Sequence, residues 1–255
     1  MPIRSLLVIA VIGLAFTSCG TAAPVSATRT AVPVPTPSPT LFITTAAPTG
    51  TPSPAPAAFR YVAIGASDTV GVGSSDPANG SWPARVAARL PAPTSYTNLG
   101  VSGSIASQAA REQLPTALSL KPQLVTVWLA VNDLNASVSA ADYGTALRSV
   151  IEPLVRGTGA RIFIGSVPDL RTVPAYATQD EAGVLVRINA YNAAITALAA
   201  AFTDRVVVVD LFTGSAALTS TITVSADGFH PSNDGYKLIA DRFLAAIAKS
   251  GVALR

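Results

Sequence analysis

Tyr61-Val62-Ala63-Ile64-Gly65-Ala66-Ser67-Asp68-Thr69-Val70-Gly71 is the stretch whose reading decides the fold. Four apolar residues run unbroken into a Gly, and small polar residues follow. A strand with one wet face alternates apolar and polar residues, whereas a strand buried on both faces is continuously apolar. Residues 61–65 are therefore read as a buried strand that ends in a tight turn. Similar runs occur at 124–130, 161–165 and 206–211, with a weaker one at 95–99. Between them lie helical patterns at 82–90, 105–120, 140–156, 181–202 and 232–249. In the last, Tyr236, Ile239, Phe243 and Ile247 are spaced three, four and four, which makes one apolar stripe. Strands alternating with helices predict an α/β domain with a parallel sheet covered on both faces.

Composition narrows the function classes. The chain has 255 residues, of which 49% are hydrophobic and 12% charged, with a formal charge of +3. One Cys excludes an internal disulfide framework and multi-Cys metal sites, and one His excludes a His-rich metal centre. Residues 1–58 carry Arg4 and Arg29 and no acid, so residues 59–255 are left with a net charge of only +1. Nucleic-acid binding needs a basic stripe, and the domain has none. No metal, cofactor or nucleic-acid partner is expected.

The first 58 residues are of two other kinds. Arg4 precedes an apolar run of 11 residues from Leu6 to Phe16, too short to span a bilayer as a helix but suited to an export signal. Thr17-Ser18-Cys19-Gly20 follows and resembles the lipobox of bacterial lipoproteins, in which the Cys becomes a lipid-carrying N-terminus; Phe16 departs from the usual Leu. Residues 1–19 are read as that signal, with Cys19 as the lipidation site and the membrane as partner. The alternative is a plain secretory signal cleaved near Ala22 or Ala23. Residues 20–58 hold nine Pro among Ala, Thr, Ser and Val, too little apolar surface to offset ordering. They are read as a polyproline-rich stalk with a reach of at most about 120 Å. The domain is assigned to residues 59–255, exported and held outside the cytoplasm as a monomer.

In open parallel sheets, sites form beyond the carboxyl ends of the strands. Four strand ends here carry chemistry: Gly65 to Gly71, Asn98 to Gly103, Asn132-Asp133, and Asp227-Gly228-Phe229-His230-Pro231. A Ser hydroxyl needs a base, and His230 is the only His. Asp227 can hold one ring nitrogen so that the other takes the Ser67 proton, the logic of a serine hydrolase. The N–H groups of Ser67 and Gly103 and the Asn132 amide suit an oxyanion hole. Each piece alone has a structural reading. Ser67 could be an N-cap, His230-Pro231 a helix start, and Asn98 and Asn132 turn formers. All of them together, in order at strand ends, favour the site.

These blocks resemble the SGNH hydrolases, also called the GDSL esterase/lipase family, over about residues 60–250. Gly65-Ala66-Ser67 stands for the usual Gly-Asp-Ser, Asn98 to Gly103 for the second block, and Ala130-Val131-Asn132-Asp133 for Gly-x-Asn-Asp. Asp227 to Pro231 matches Asp-x-x-His-Pro, and Ser81-Trp82-Pro83 matches a short segment after the first block. The resemblance implies a flavodoxin-like three-layer α/β/α sandwich around a mostly parallel five-stranded sheet. It implies Ser67 as nucleophile, Asp227 and His230 as the base pair, and Ser67, Gly103 and Asn132 as the oxyanion hole. Ala66 and Ala130 depart from the family's Asp and Gly, and Asp68 is a candidate to replace the lost hydrogen bonding of the turn. Asp133 is expected to support the site rather than react. The implied activity is hydrolysis of carboxylic esters, on small-molecule, lipid or acetylated-glycan substrates, with residues 168–180 as a candidate substrate wall. A non-catalytic binding lipoprotein and an O-acyltransferase are the alternatives.

Overall fold

The computed structural model describes residues 57–219 and 222–255, so Cys19, the signal and nearly all of the stalk lie outside the described residues. Among the described residues there are five strands: β1 (Phe59–Gly65), β2 (Thr94–Asn98), β3 (Leu124–Trp128), β4 (Arg161–Gly165) and β5 (Val206–Val209). All pairings are parallel, in the order β2-β1-β3-β4-β5. This is the flavodoxin-like order expected. The helices are α1 (Ser67–Val70), α2 (Pro77–Gly80), α3 (Trp82–Ala87), α4 (Ala106–Glu112), α5 (Leu114–Ser119), α6 (Val131–Asn135), α7 (Ala140–Gly157), α8 (Glu181–Ala200) and α9 (Asn233–Lys249).

Alternate residues of each strand feed two cores, because successive side chains leave a strand on opposite faces. Val62 and Ile64 of β1, with Val125 and Val127 of β3, pack under α4, α5, α7 and α8. Tyr61 and Ala63, with Leu124 and Trp128, pack under α3 and α9. There Trp82 stacks on Phe243 at 4.3 Å and meets Trp128 edge-on. The result is a three-layer sandwich. By length and composition α8 could cross a membrane, yet it packs on α7, with Tyr191 stacked on Tyr143 at 4.6 Å and Ala194 close to Gly144. Close helix packing is the reading its alanines support.

One local expectation differs from the structure. The helix read over 105–120 is two helices, α4 and α5, because Pro115 sits in the first turn of α5, where its missing N–H costs nothing. The junction residue is Gln113, buried at 2% exposure. Arg242 of α9 donates to the Asp210 and Thr213 carbonyls beyond β5.

Candidate active site

β1 lies between β2 and β3, so the loops that leave these three strands meet at one edge of the sheet. Ser67 follows β1, Gly103 follows β2 and Asn132 follows β3. The turn out of β1 is tight: a Cβ on Gly65 would lie 2.0 Å from Thr69 Oγ1 and 2.8 Å from the Trp128 carbonyl oxygen. Ser67 opens α1 at 7% exposure, and Gly71 closes it with φ +98°. Ser67 Oγ makes no hydrogen bond among the described residues, and the N–H groups of Ser67 and Gly103 have no acceptor there either. Gly103 sits at φ +80° with open space where a side chain would go. Asn132 Nδ2 donates to the Ser104 carbonyl at 3.0 Å, which leaves its second amide hydrogen available. Asn98 joins the first two loops by donating to the Thr69 carbonyl (2.7 Å) and accepting from Gly100 N (2.9 Å).

His230 and Asp227 sit on a loop that turns back on itself through a Val224–Pro231 bridge, with Gly228 at φ +72°. Asp227 Oδ1 accepts from Ser225 Oγ and from the N–H groups of Phe229 and His230, all at 2.7–2.9 Å. Its Oδ2 lies 2.6 Å from His230 Nδ1. Burial opposes ionisation of Asp227, but these hydrogen bonds outweigh it and hold the carboxyl well below the usual range. A proton on Nδ1 is thereby fixed toward Asp227, and Nε2 keeps its lone pair. The Asp227–His230 pair, Ser67 and the N–H groups without acceptors thus come from the ends of β1, β2 and β3 and from the loop before α9.

The model of the GDSL-like Lipase/Acylhydrolase family matches residues 63–238, well over half of the chain. This chain belongs to that family. It is an ester-hydrolysing serine hydrolase with the fold of the family's esterases. Among solved structures it is similar to TesA, at 21% identity and a TM-score of 0.58, over 75% of this chain and 99% of that one. It is also similar to the psychrotrophic esterase EstA from Pseudoalteromonas sp., inhibited by monoethylphosphonate (17% identity, TM-score 0.58, 75% and 97% covered). A third is the acetyl xylan esterase AlAXEase (16% identity, TM-score 0.56, 74% and 99% covered). No curated protein sequence matches the chain.

Against the family pattern, two substitutions have structural consequences. Ala66 leaves the turn without the usual Asp, and Asp68 does not replace it: no other residue's donor reaches its carboxyl. Gln113 does the work instead. Its Oε1 accepts from Gly65 N and its Nε2 donates to the Gly65 carbonyl, both at 3.0 Å, with a further bond to Ser104 Oγ at 3.2 Å. Sequence reasoning missed this residue, although a signal exists. Ala106, Ala109, Gln113 and Ala117 are spaced three, four and four, and Gln113 is the polar member of that inward stripe. Ala130 takes the Gly position at φ +118°, ψ −41°, a conformation that a side chain disfavours. Beside it, Asp133 is 1% exposed and accepts the Ala106 N–H with both oxygens at 3.1–3.2 Å. Asn132 and Asp133 together hold 104–106, the segment that directly follows Gly103. Burial pushes the Asp133 carboxyl up to about 6.

Proposed function

We propose that Ser67, His230 and Asp227 hydrolyse carboxylic esters through an acyl-enzyme, with the oxyanion received by the Ser67 and Gly103 N–H groups and Asn132 Nδ2. The observation that carries this is the 2.6 Å Asp227–His230 contact, on a loop whose Pro231 carbonyl lies against Gly73 just after the Ser67 turn, together with a Ser hydroxyl and two backbone donors that have no partner among the described residues. Ser67 Oγ attacks the ester carbonyl carbon and gives its proton to His230 Nε2. The tetrahedral oxygen takes up the developing charge where the donors are already fixed, so little reorganisation is needed. The carbonyl–alkoxy bond then breaks, Nε2 returns the proton to the departing alcohol, and water repeats the sequence to free the acid and Ser67. In the free enzyme Ser67 Oγ and Nε2 are not hydrogen-bonded; such contacts commonly close only with substrate bound.

The substrate is read as a small-molecule, lipid or acetylated-glycan ester, and the acetyl xylan esterase among the structural relatives supports the last class. The domain is read as monomeric, exported and tethered by lipid on Cys19 through the stalk. Cys19→Ser should abolish incorporation of labelled fatty acid and release the chain to the medium. For the chemistry, a fluorophosphonate probe on the full chain should label Ser67, and Ser67→Ala should lose labelling and about 10⁴-fold or more of p-nitrophenyl acetate hydrolysis. Undiminished hydrolysis by pure Ser67→Ala protein would overturn the assignment. Absence of labelling in folded protein would favour a binding role, and transfer of the acyl group to a sugar rather than water would identify an acyltransferase.

A further inference from the structure

Next to Asp68 lies a cavity of about 130 Å³, close to the size that admits benzene in a protein core. It opens between the ends of β3, β4 and β5 and the start of α9, beside Phe229 and Pro231, the chain neighbours of His230. Trp128, Leu170, Leu211, Phe229 and Leu238 give it apolar walls. A smaller cavity shares Asp68, Trp128 and Val131 with it and reaches Asn132, so the two flank the nucleophile turn.

The polar side chains of the larger cavity are engaged, with one exception. Asp169 is paired with Arg171 at 2.7 Å. Ser215 donates to the Phe212 carbonyl and accepts from Asp169 N. Thr219 and Thr223 donate to the Ser215 and Leu218 carbonyls, and Arg242 to those of Asp210 and Thr213. Asp68 alone presents a carboxyl that receives no hydrogen bond from another residue's donor. No His230 nitrogen lies within ion-pair distance of it; the ring pairs with Asp227.

We infer that this cavity is a subsite for an alkyl group bearing a hydroxyl, and that the Asp68 carboxyl receives that hydroxyl. The inference rests on the esterase reading of Ser67. A plain alkyl group would fill the walls but strand the carboxyl without water, whereas a hydroxylated one restores a donor. Burial already pushes Asp68 up to about 6, against the pull of His230 and with the push of Asp227, as expected of a carboxyl short of donors. Sites that bond a substrate hydroxyl discriminate strongly against the analogue lacking it. Asp68 is thus a specificity-determining residue. The hydroxyl can belong to the acid or to the alcohol half of the ester.

Matched pairs separate these sources in the full chain: p-nitrophenyl 3-hydroxybutyrate against p-nitrophenyl butyrate, and 3-hydroxybutyl acetate against butyl acetate. In one arm the hydroxylated ester should show kcat/KM at least about tenfold higher. Asp68→Leu should erase or invert that ratio while fluorophosphonate still titrates Ser67, and Asp68→Asn, which keeps an acceptor, should retain part of it. Equal rates within both wild-type pairs, or an unchanged ratio in Asp68→Leu, would overturn the subsite while leaving the esterase intact. If Asp68→Leu does not fold, the wild-type pairs and Asp68→Asn decide. A chain that cleaves none of the four and is not labelled at Ser67 fails the esterase reading itself, and the subsite with it.

Discussion

Gln113 is 48 residues from Gly65 in sequence, yet it bonds both polar groups of the residue that launches the Ser67 turn. Replacing it with Met keeps the volume and removes the bonds. Gly65 N–H would then be buried without a partner, at about 1–3 kcal/mol, and the contact to Ser104 Oγ would be lost, at about 0.5–1.5 kcal/mol. The Gly65 carbonyl would still accept from Val101 N at 3.1 Å, so it adds little. Gln113→Met should therefore cost about 2–4 kcal/mol. Gln113→Ala should cost roughly 1–2 kcal/mol more, for the space it leaves. Gln113→Glu should fall near Met, because its carboxylate accepts from Gly65 N but repels the Gly65 carbonyl. Urea unfolding followed by Trp fluorescence reads these differences as midpoint shifts at constant slope. Hydrolysis should drop as well, chiefly in kcat, since a misplacement of about 1 Å at a reacting atom costs on the order of 10². A Gln113→Met protein within about 0.5 kcal/mol of wild type would refute the idea that this amide holds the turn.

Three further outcomes follow. Ala130→Gly relieves a positive-φ conformation worth about 1–3 kcal/mol and loosens the unfolded chain by about 0.4–1 kcal/mol, so calorimetry should show a net gain of about 1 kcal/mol. Asp133 holds its proton to about 6 when folded, whereas its ordinary value is 3.8; between those pH values the folded state binds more protons than the unfolded one. Stability should thus decline by about 3 kcal/mol from this group as pH rises through the window, and Asp133→Asn, scanned by urea midpoint from pH 4 to 7, should remove that share of the slope. Asp227 has the opposite sign. Its depressed value contributes stability present above the ordinary carboxylate range and lost as pH falls, so Asp227→Asn should be less stable than wild type at pH 7 and converge with it in acid, while kcat falls by about 10⁴ as the His230 tautomer is lost.

The strands were legible because burial on both faces leaves a local mark: each of the runs at 61–65, 124–130, 161–165 and 206–211 coincides largely with a strand of the sheet. The strand order was legible through the resemblance alone, since nothing in an apolar run says which neighbour it pairs with. What escaped was tertiary. Pro115 could be seen in the sequence, but not that it would divide a helix so as to turn Gln113 inward. Asp68 adjoins Ser67 in sequence and is the nearest candidate for the missing turn carboxylate. It lines the cavity instead, and a distant amide fills the role.

The features that break local rules gather at one end of the sheet, and the strand order explains why. The chain leaves β1 toward β2 on one side and β3 on the other, and such a switch opens a crevice that no crossover covers. Backbone groups there lose the partners that a continued ladder would supply. Gln113 restores those of Gly65, while the N–H groups of Ser67 and Gly103 are left unpaired at the rim. Lys121 and Ser137 also have positive φ, but at +46° and +57° they sit in the ordinary left-handed region of turns. Ala130 at +118° does not, and it directly precedes the segment that bears Asn132. A strained residue, a carboxyl without a donor and two open N–H groups are each unfavourable for folding alone. Their concentration where three adjacent strands end is what a site prepared to receive an oxyanion and a polar substrate group requires.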